Sequence, residues 1–317
     1  MHPAKSVIYF TIATGAGYGL FFWLALLAFH GLLPANKIFA FTALAISFGL
    51  IITGLLSSTL HLGHPKRAWR AFSQWRSSWL SREGVMAILT FIPMSLFAIA
   101  WVLMGKDTGV IRIIGLIGAV MALITVFTTS MIYASIKAIP AWHNIWTKLS
   151  YLVLSLMSGS ILAMAIVAAF GYPQAYHLMH PTAVFIVLGL IVKILYWMHI
   201  LTSKLVSTAE SATGLGKFGE VSLAASPHSE DNYLLKEMGY QIARKHATKI
   251  RVIVAVLAFL VPLVLIFVCM HSLGGTGRTF GLIATALICM IGLVFERWLF
   301  FAEAKHAVML FYGEQKV

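Results

Sequence analysis

Eight long apolar runs divide this sequence of 317 residues and leave little choice of fold. A helix that spans a bilayer needs about 20 predominantly apolar residues. The runs cover residues 6–33, 38–60, 84–104, 113–136, 149–170, 181–203, 252–270 and 279–300. Lipid offers no water to backbone groups and the runs lack the alternation of barrel strands, so each should be a helix. The sequence predicts an all-α polytopic membrane protein, a bundle of eight transmembrane helices forming a single domain over residues 1–317.

Composition agrees with a membrane location. Hydrophobic residues make up 60% of the sequence and charged residues 10%, well outside the averages of soluble domains. The first run is too long for a signal-peptide core and ends without a small-residue cleavage pattern, so we expect a retained helix. Cys269 and Cys289 lie inside predicted helices, where they behave as small apolar residues. We expect no iron–sulfur centre and no bound metal in this chain.

The basic residues predict the orientation of the bundle. Of the 23 Lys and Arg residues, eighteen fall on the side that holds both termini, four fall on the opposite side, and Lys193 lies inside a helix. Such an excess marks cytoplasmic loops, so both termini are expected in the cytoplasm. The connection 204–251 is long for a helix bundle and is a candidate docking site for a partner subunit, although attraction of its basic residues to anionic lipid explains the same charges.

The segment 61–83, HLGHPKRAWRAFSQWRSSWLSRE, carries the residues best suited to chemistry. His61 and His64 share a face if the second helix continues through Gly63. Glu83 begins the third run, where it also fits an N-cap at Ser81 with an acidic first turn. A quinone head group needs a partner at each carbonyl oxygen and a proton route to water. An imidazole and a carboxylate at the membrane surface meet both needs.

Aromatic and buried polar residues have less specific interpretations. Tryptophans flank the predicted cytoplasmic surface, where they are typical of the interfacial belt, and some could wall a slot for an isoprenoid ring; they are Trp69, Trp75, Trp79, Trp142 and Trp146.

Four polar residues lie within apolar runs, where such side chains pair structurally or mark a functional site; they are Lys193, His199 and the adjacent Glu296 and Arg297. We expect Glu296 and Arg297 to pair with neighbouring helices rather than with each other, and a partner or water cavity for Lys193.

Two blocks of this sequence resemble membrane-anchor subunits of the dimethyl sulfoxide reductase type. The first is STLHLGHPKRAWRAFSQWRSSWLSRE, which ends at Glu83, and the second is YASIKAIPAWHNIWT, residues 133–147. The resemblance implies an anchor without haem that attaches an iron–sulfur subunit and a molybdopterin catalytic subunit to the membrane. It also implies electron exchange with quinone, either ubiquinone or menaquinone, at a site whose histidine falls on His61 and whose carboxylate falls on Glu83.

The remaining expectations concern the surroundings of that site and the substrate. His64, Arg67, Arg70, Trp79 and Arg82 are candidates for binding the quinone or gripping the partner subunit. The cytoplasmic excess of charge favours a likeness to anchors of sulfite dehydrogenases, whose catalytic subunits are cytoplasmic, over quinol-oxidising sulfoxide reductases. We therefore expect a bacterial inner-membrane subunit of a sulfite:quinone oxidoreductase. A secondary anion transporter and a purely structural anchor remain alternatives.

Overall fold

The computed structural model describes residues 3–34, 36–60, 64–105, 108–203, 207–225, 230, 238, 242–313 and 315. Within these residues the chain is helical and has no strand. Eight helices are long and apolar enough to cross a membrane: α1 (Lys5–Phe29), α2 (Lys37–Thr59), α3 (Trp79–Val102), α4 (Val110–Ala134), α5 (Ile145–Ala169), α6 (Ala175–Thr202), α7 (Ala247–His271) and α8 (Gly275–Ala302). For the residues that the structure describes, the predicted all-α class and the eight long apolar helices are confirmed.

The main difference from the predicted boundaries lies at the start of α3. This helix begins at Trp79, and Ser78 is its N-cap, because the Ser78 hydroxyl accepts a hydrogen bond from the Ser81 backbone amide at 3.4 Å. The predicted N-cap at Ser81 is therefore wrong. Glu83 lies beyond the first turn, about 6 Å along the helix axis from Trp79, and its carboxylate does not cap the helix.

Helices α6 and α7 each contain a proline within their bounds. α6 begins at Ala175, so Pro181 lies inside the helix rather than at its start. In α7, residues Ala255–Leu260 form a π-helical stretch directly before Pro262. Proline has no backbone N–H to give to the carbonyl four residues earlier, and here the Cys289 thiol donates to that carbonyl, Ala258 O, at 3.7 Å.

Helices α1 and α5 are packed together at the centre of the bundle. A Cβ atom on Gly19 would lie 1.9 Å from the carbonyl oxygen of Ser155, and one on Gly159 would lie 2.1 Å from the carbonyl carbon of Gly19. The Ser155 hydroxyl donates to Gly15 O at 2.6 Å, and the Trp23 indole donates to Leu156 O at 2.8 Å. Small residues allow this close approach, which is the usual basis of helix packing in lipid.

The contacts between helix ends define two ends of the bundle. At the Glu83 end lie the connections α2–α3, α4–α5 and α6–α7 and the residues after α8, since Arg251 at the start of α7 pairs with Glu303 just beyond α8. At the opposite end, the Lys37 ammonium donates to Leu103 O at 2.9 Å. Which end faces the cytoplasm stays a prediction from the charge distribution.

One tryptophan of the predicted interfacial belt is part of the protein core instead. Trp142 is only 4% exposed, its indole donates to Phe300 O at 3.0 Å, and its ring stacks on Phe300. The belt interpretation is therefore wrong for Trp142. This indole fixes the α4–α5 connection to the end of α8, whereas Trp69 and Trp75 are exposed and still suit a membrane interface.

Candidate functional site

The carboxylate of Glu83 is buried inside the Glu83 end of the bundle. Its side chain is 6% exposed, and Oε1 accepts a hydrogen bond from the Thr129 hydroxyl on α4 at 2.7 Å. It also lies close enough to the phenol groups of Tyr18 and Tyr133 to interact with them electrostatically. A carboxyl group placed on a spanning helix in this way is a functional candidate, because burial is costly unless the group is used or fully paired.

The structure describes one of the two candidate histidines. His61 lies outside the described residues, so its approach to Glu83 stays a prediction. α2 ends at Thr59, and His64 is exposed with an extended backbone that leads into a 3-10 helix, Pro65–Gln74. His64 is therefore not on α2, and the face predicted for the two histidines involves residues 61–63, which lie outside the described residues. Among the described residues, no three His, Cys, Asp or Glu side chains cluster as a metal site requires.

The connection between α2 and α3 is attached to the start of α3 by Arg82. Its guanidinium donates to Trp75 O at 3.0 Å and to Arg76 O at 2.7 Å, and it stands 4.2 Å from the centre of the Trp79 ring. Arg82 and Trp79 thus hold this connection in place, a role that the sequence did not indicate. Arg67 and Arg70 are exposed, and their guanidinium groups make no such backbone contacts within the described part of the molecule.

Phe72 covers the helix turn that contains Glu83. A Cβ atom on Gly84 would lie 2.8 Å from Cε1 of Phe72, so the glycine leaves the space that this ring fills. The 3-10 helix therefore lies against α3 directly beside the buried carboxylate.

An apolar groove of about 380 Å³ opens between α2 and α3 towards the Lys37 end of the bundle. Its lining comes from both helices and consists of Phe41, Leu44, Ala45, Phe48, Ser95, Ala98, Ile99, Val102 and Leu103. Ser95 lies about 18 Å along α3 from Glu83. Helix α3 therefore carries a buried carboxylate near one end and lines an apolar groove nearer the other.

A second group of charged side chains is buried between α6 and α8. Lys193 Nζ lies 2.6 Å from Glu296 Oε1, and Arg297 Nε lies 3.0 Å from Glu296 Oε2. Lys193 also lies 3.9 Å from the centre of the Tyr196 ring, and Arg297 lies 4.0 Å from that of Tyr151. The expected partner for Lys193 is thus present. The expectation that Glu296 pairs with a neighbouring helix is confirmed by Lys193, but the expectation that Glu296 and Arg297 do not pair with each other is wrong.

A small cavity, lined by both polar and apolar side chains, lies between Glu83 and these buried charges. It measures about 20 Å³, which is room for about one water molecule. Side chains from α1, α4, α5 and α8 line it, among them Thr11, Thr14, Thr129, Tyr151, Ser155, Ser158 and Arg297. Sequence reasoning did not single out Thr129 or Tyr151, although the polar run Thr128–Thr129–Ser130 inside an apolar helix was a visible signal.

Known proteins match this chain over most or part of its length. The family model for the DMSO reductase anchor subunit (DmsC) matches residues 1–313. The C subunit of the sulfite dehydrogenase of Allochromatium vinosum is 30% identical over 98% of this chain and 99% of its own length. The C chain of the anaerobic dimethyl sulfoxide reductase of Escherichia coli is 30% identical over 40% of this chain and 46% of its own length.

Proposed function

This chain belongs to the family of DMSO reductase anchor subunits, and on that premise we propose that it is the quinone-reactive membrane anchor of a molybdoenzyme complex. Electrons pass between an iron–sulfur cluster of a docked partner subunit and a quinone bound at the Glu83 end of the bundle. The molybdopterin subunit lies beyond that partner. The observation that carries the proposal is the buried Glu83 carboxylate beside the 3-10 helix.

The chemistry of quinone reduction assigns separate roles to the two site residues. Two electrons from the partner's iron–sulfur cluster and two protons convert both carbonyl groups to hydroxyl groups. His61 bonds one carbonyl oxygen, and Glu83 gives a proton to the other or accepts one in the reverse direction, because both side chains change protonation within reach of neutral pH in a suitable environment. His64, Arg67 and Arg70 are placed on the exposed side, where they contact either the quinone head group or the partner.

The groove between α2 and α3 suits the tail of the same molecule. An isoprenoid tail is apolar and long, and the groove begins within about 18 Å of Glu83 on the same helix. Phe48 and Ser95 line it from opposite helices. A head group at Glu83 with its tail in this groove would be bound by two neighbouring helices along most of the membrane.

The relatives favour sulfite as the substrate of the complex. The match to a sulfite dehydrogenase extends over 98% of this chain, whereas the match to a sulfoxide reductase extends over 40%. The charge distribution adds support, because the excess of basic residues favours a cytoplasmic location for the Glu83 end, and we propose that the partner subunits dock there on a bacterial inner membrane. The proposal covers both ubiquinone and menaquinone.

The test compares the partner subunits with and without this chain. Without this chain, the partner subunits should be soluble and should still oxidise sulfite with an artificial dye as electron acceptor, but they should no longer reduce quinone. Adding membranes that hold the anchor should restore quinone reduction. The proposal is wrong if the partner subunits reduce quinone alone. Sulfite or sulfate flux into liposomes holding only this chain would favour the transporter alternative.

A further inference from the structure

Thr129 connects the buried Glu83 carboxylate to the small cavity. Its hydroxyl donates to Glu83 at 2.7 Å and also lines the cavity. A hydroxyl has one proton to donate and two lone pairs that accept. Thr129 can therefore accept a hydrogen bond from a water in the cavity while it remains bonded to Glu83.

The cavity is suited to an ordered water. Nη1 of Arg297 is buried and has no hydrogen-bond partner among the described residues, and the same holds for the Tyr151 hydroxyl. Both side chains line the cavity. Buried donors without a partner are costly, and one water in a space of about 20 Å³ would satisfy them.

Tyr151 lines the cavity beside Arg297, which is paired with Glu296. Its phenol group interacts electrostatically with both Glu296 and Glu83, and its ring is stacked beneath the Arg297 guanidinium. Glu296 is in turn paired with Lys193 at 2.6 Å. The polar groups therefore form a series that runs from Glu83 through Thr129, the cavity and Tyr151 to Glu296 and Lys193.

The series reaches the protein surface at its far end. Lys193 interacts electrostatically with Glu303, which lies just beyond α8 and is paired with Arg251. The side chain of Glu303 is 10% exposed, compared with 1% for Glu296. We take Glu303 as the surface end of the series because its side chain is more exposed than that of Glu296.

We propose that this series is a proton path that connects Glu83 to the surface at Glu303. The inference rests on the proposed quinone function. During quinone reduction, the partner's iron–sulfur cluster supplies two electrons, and Glu83 transfers one proton to a quinone oxygen to form an O–H bond. The cavity water then reprotonates Glu83 through Thr129, and Tyr151 and the Glu296–Lys193 pair restore the proton to the water. The second proton arrives at the His61 side, and quinol oxidation runs the same path in reverse.

Arg297 has a positioning role in this path. A guanidinium does not lose its proton in proteins, so Arg297 orients the water and Glu296 without carrying the proton itself. The groups that carry it are the two carboxylates, the hydroxyls, the water and Lys193. A proton leaving Lys193 for Glu296 leaves two neutral side chains beside the Arg297 charge, which keeps the buried site at an unchanged net charge.

The Tyr151→Phe variant tests the path, because it removes one hydroxyl and leaves the ring beneath Arg297 in place. In the assembled complex we expect quinone-linked turnover to fall roughly tenfold, with dye-linked turnover unchanged and a larger solvent deuterium isotope effect. Tyr172→Phe, which removes a hydroxyl at the opposite end of the bundle, should match the wild type.

The threonine variants give a second test. Thr129→Val should lower quinone-linked turnover as Tyr151→Phe does, whereas Thr129→Ser keeps the hydroxyl and should keep wild-type turnover. Thr128→Val is the control and should have no effect, since the Thr128 hydroxyl donates to Thr125 O within its own helix.

Each outcome separates the path from the quinone function. If Tyr151→Phe and Thr129→Val keep wild-type quinone turnover and isotope effect while Glu83→Gln abolishes turnover, the path is wrong and the quinone site stands. If Glu83→Gln is also harmless, the proposed function itself fails. Equal loss of dye and quinone turnover in Tyr151→Phe would indicate a structural role for the hydroxyl and would also overturn the path.

Discussion

Replacing Glu83 by Gln should lower quinone-linked turnover of the assembled complex by about 10²-fold or more. Glutamine keeps the volume of the side chain, and its amide oxygen can still accept the hydrogen bond that Thr129 donates at 2.7 Å. It cannot give or take a proton, so the quinone oxygen next to it loses its proton donor. Turnover with an artificial dye should stay at the wild-type level, because the dye takes electrons without using this site.

Two comparisons make the Glu83 result interpretable. His61→Ala should cause a similar loss with quinone and none with dye, since it removes the partner of the other carbonyl oxygen. Glu220→Gln, at an exposed position, is the matched control and should be neutral. Wild-type quinone turnover in both site variants would mean that the protein is a structural anchor only. Parallel loss of quinone and dye turnover would point to failed folding or docking.

Replacing Glu296 by Gln should destabilise the bundle by about 3–5 kcal/mol. This carboxylate balances two buried cations, Lys193 and Arg297, and both would be left without a counter-charge. Lys193→Met should cost much less, because it leaves the Glu296–Arg297 pair neutral and fills the space with an apolar side chain. Thermal unfolding in detergent and the amount of folded protein in the membrane measure both effects.

The test is which of the two variants is less stable. A charge-balance origin predicts that Glu296→Gln is clearly less stable than Lys193→Met. Equal destabilisation would contradict it and would indicate that the packing of the Lys193 stem against Tyr196, rather than the ion pair, stabilises this region. Tyr196→Phe would then be the next variant to examine.

The sequence predicted those features that depend on local composition. Eight apolar runs of membrane length were sufficient for the eight helices, because only helices and closed barrels satisfy backbone groups in lipid and the runs lack the alternation of barrel strands. The two blocks that end at Glu83 and Thr147 were sufficient for the family. The predicted start of α3 was too late because the residues WLSRE, Trp79 to Glu83, are polar enough to resemble a loop. In the structure Ser78 caps the helix, and these five residues form its first turns.

Features that depend on packing between distant segments could not be predicted. Thr129 lies 46 residues from Glu83 in the sequence, and nothing local marks one threonine of α4 as its partner. Lys193 was expected to have a partner, but only the arrangement of α6 against α8 identifies it as Glu296. Trp142 was predicted to lie in the interfacial belt because nothing near it in the sequence indicates that the end of α8 covers its indole.

The position of the quinone ring in a density map of the assembled complex tests the proposed site most directly. The ring should lie between α3 and the segment that follows α2, with one carbonyl oxygen within about 2.6–3.2 Å of the Glu83 carboxylate and the other facing His61. The tail should enter the groove that contains Phe48 and Ser95. A ring bound elsewhere, with Glu83 still bonded only to Thr129 and enclosed by protein, would contradict the proposed function.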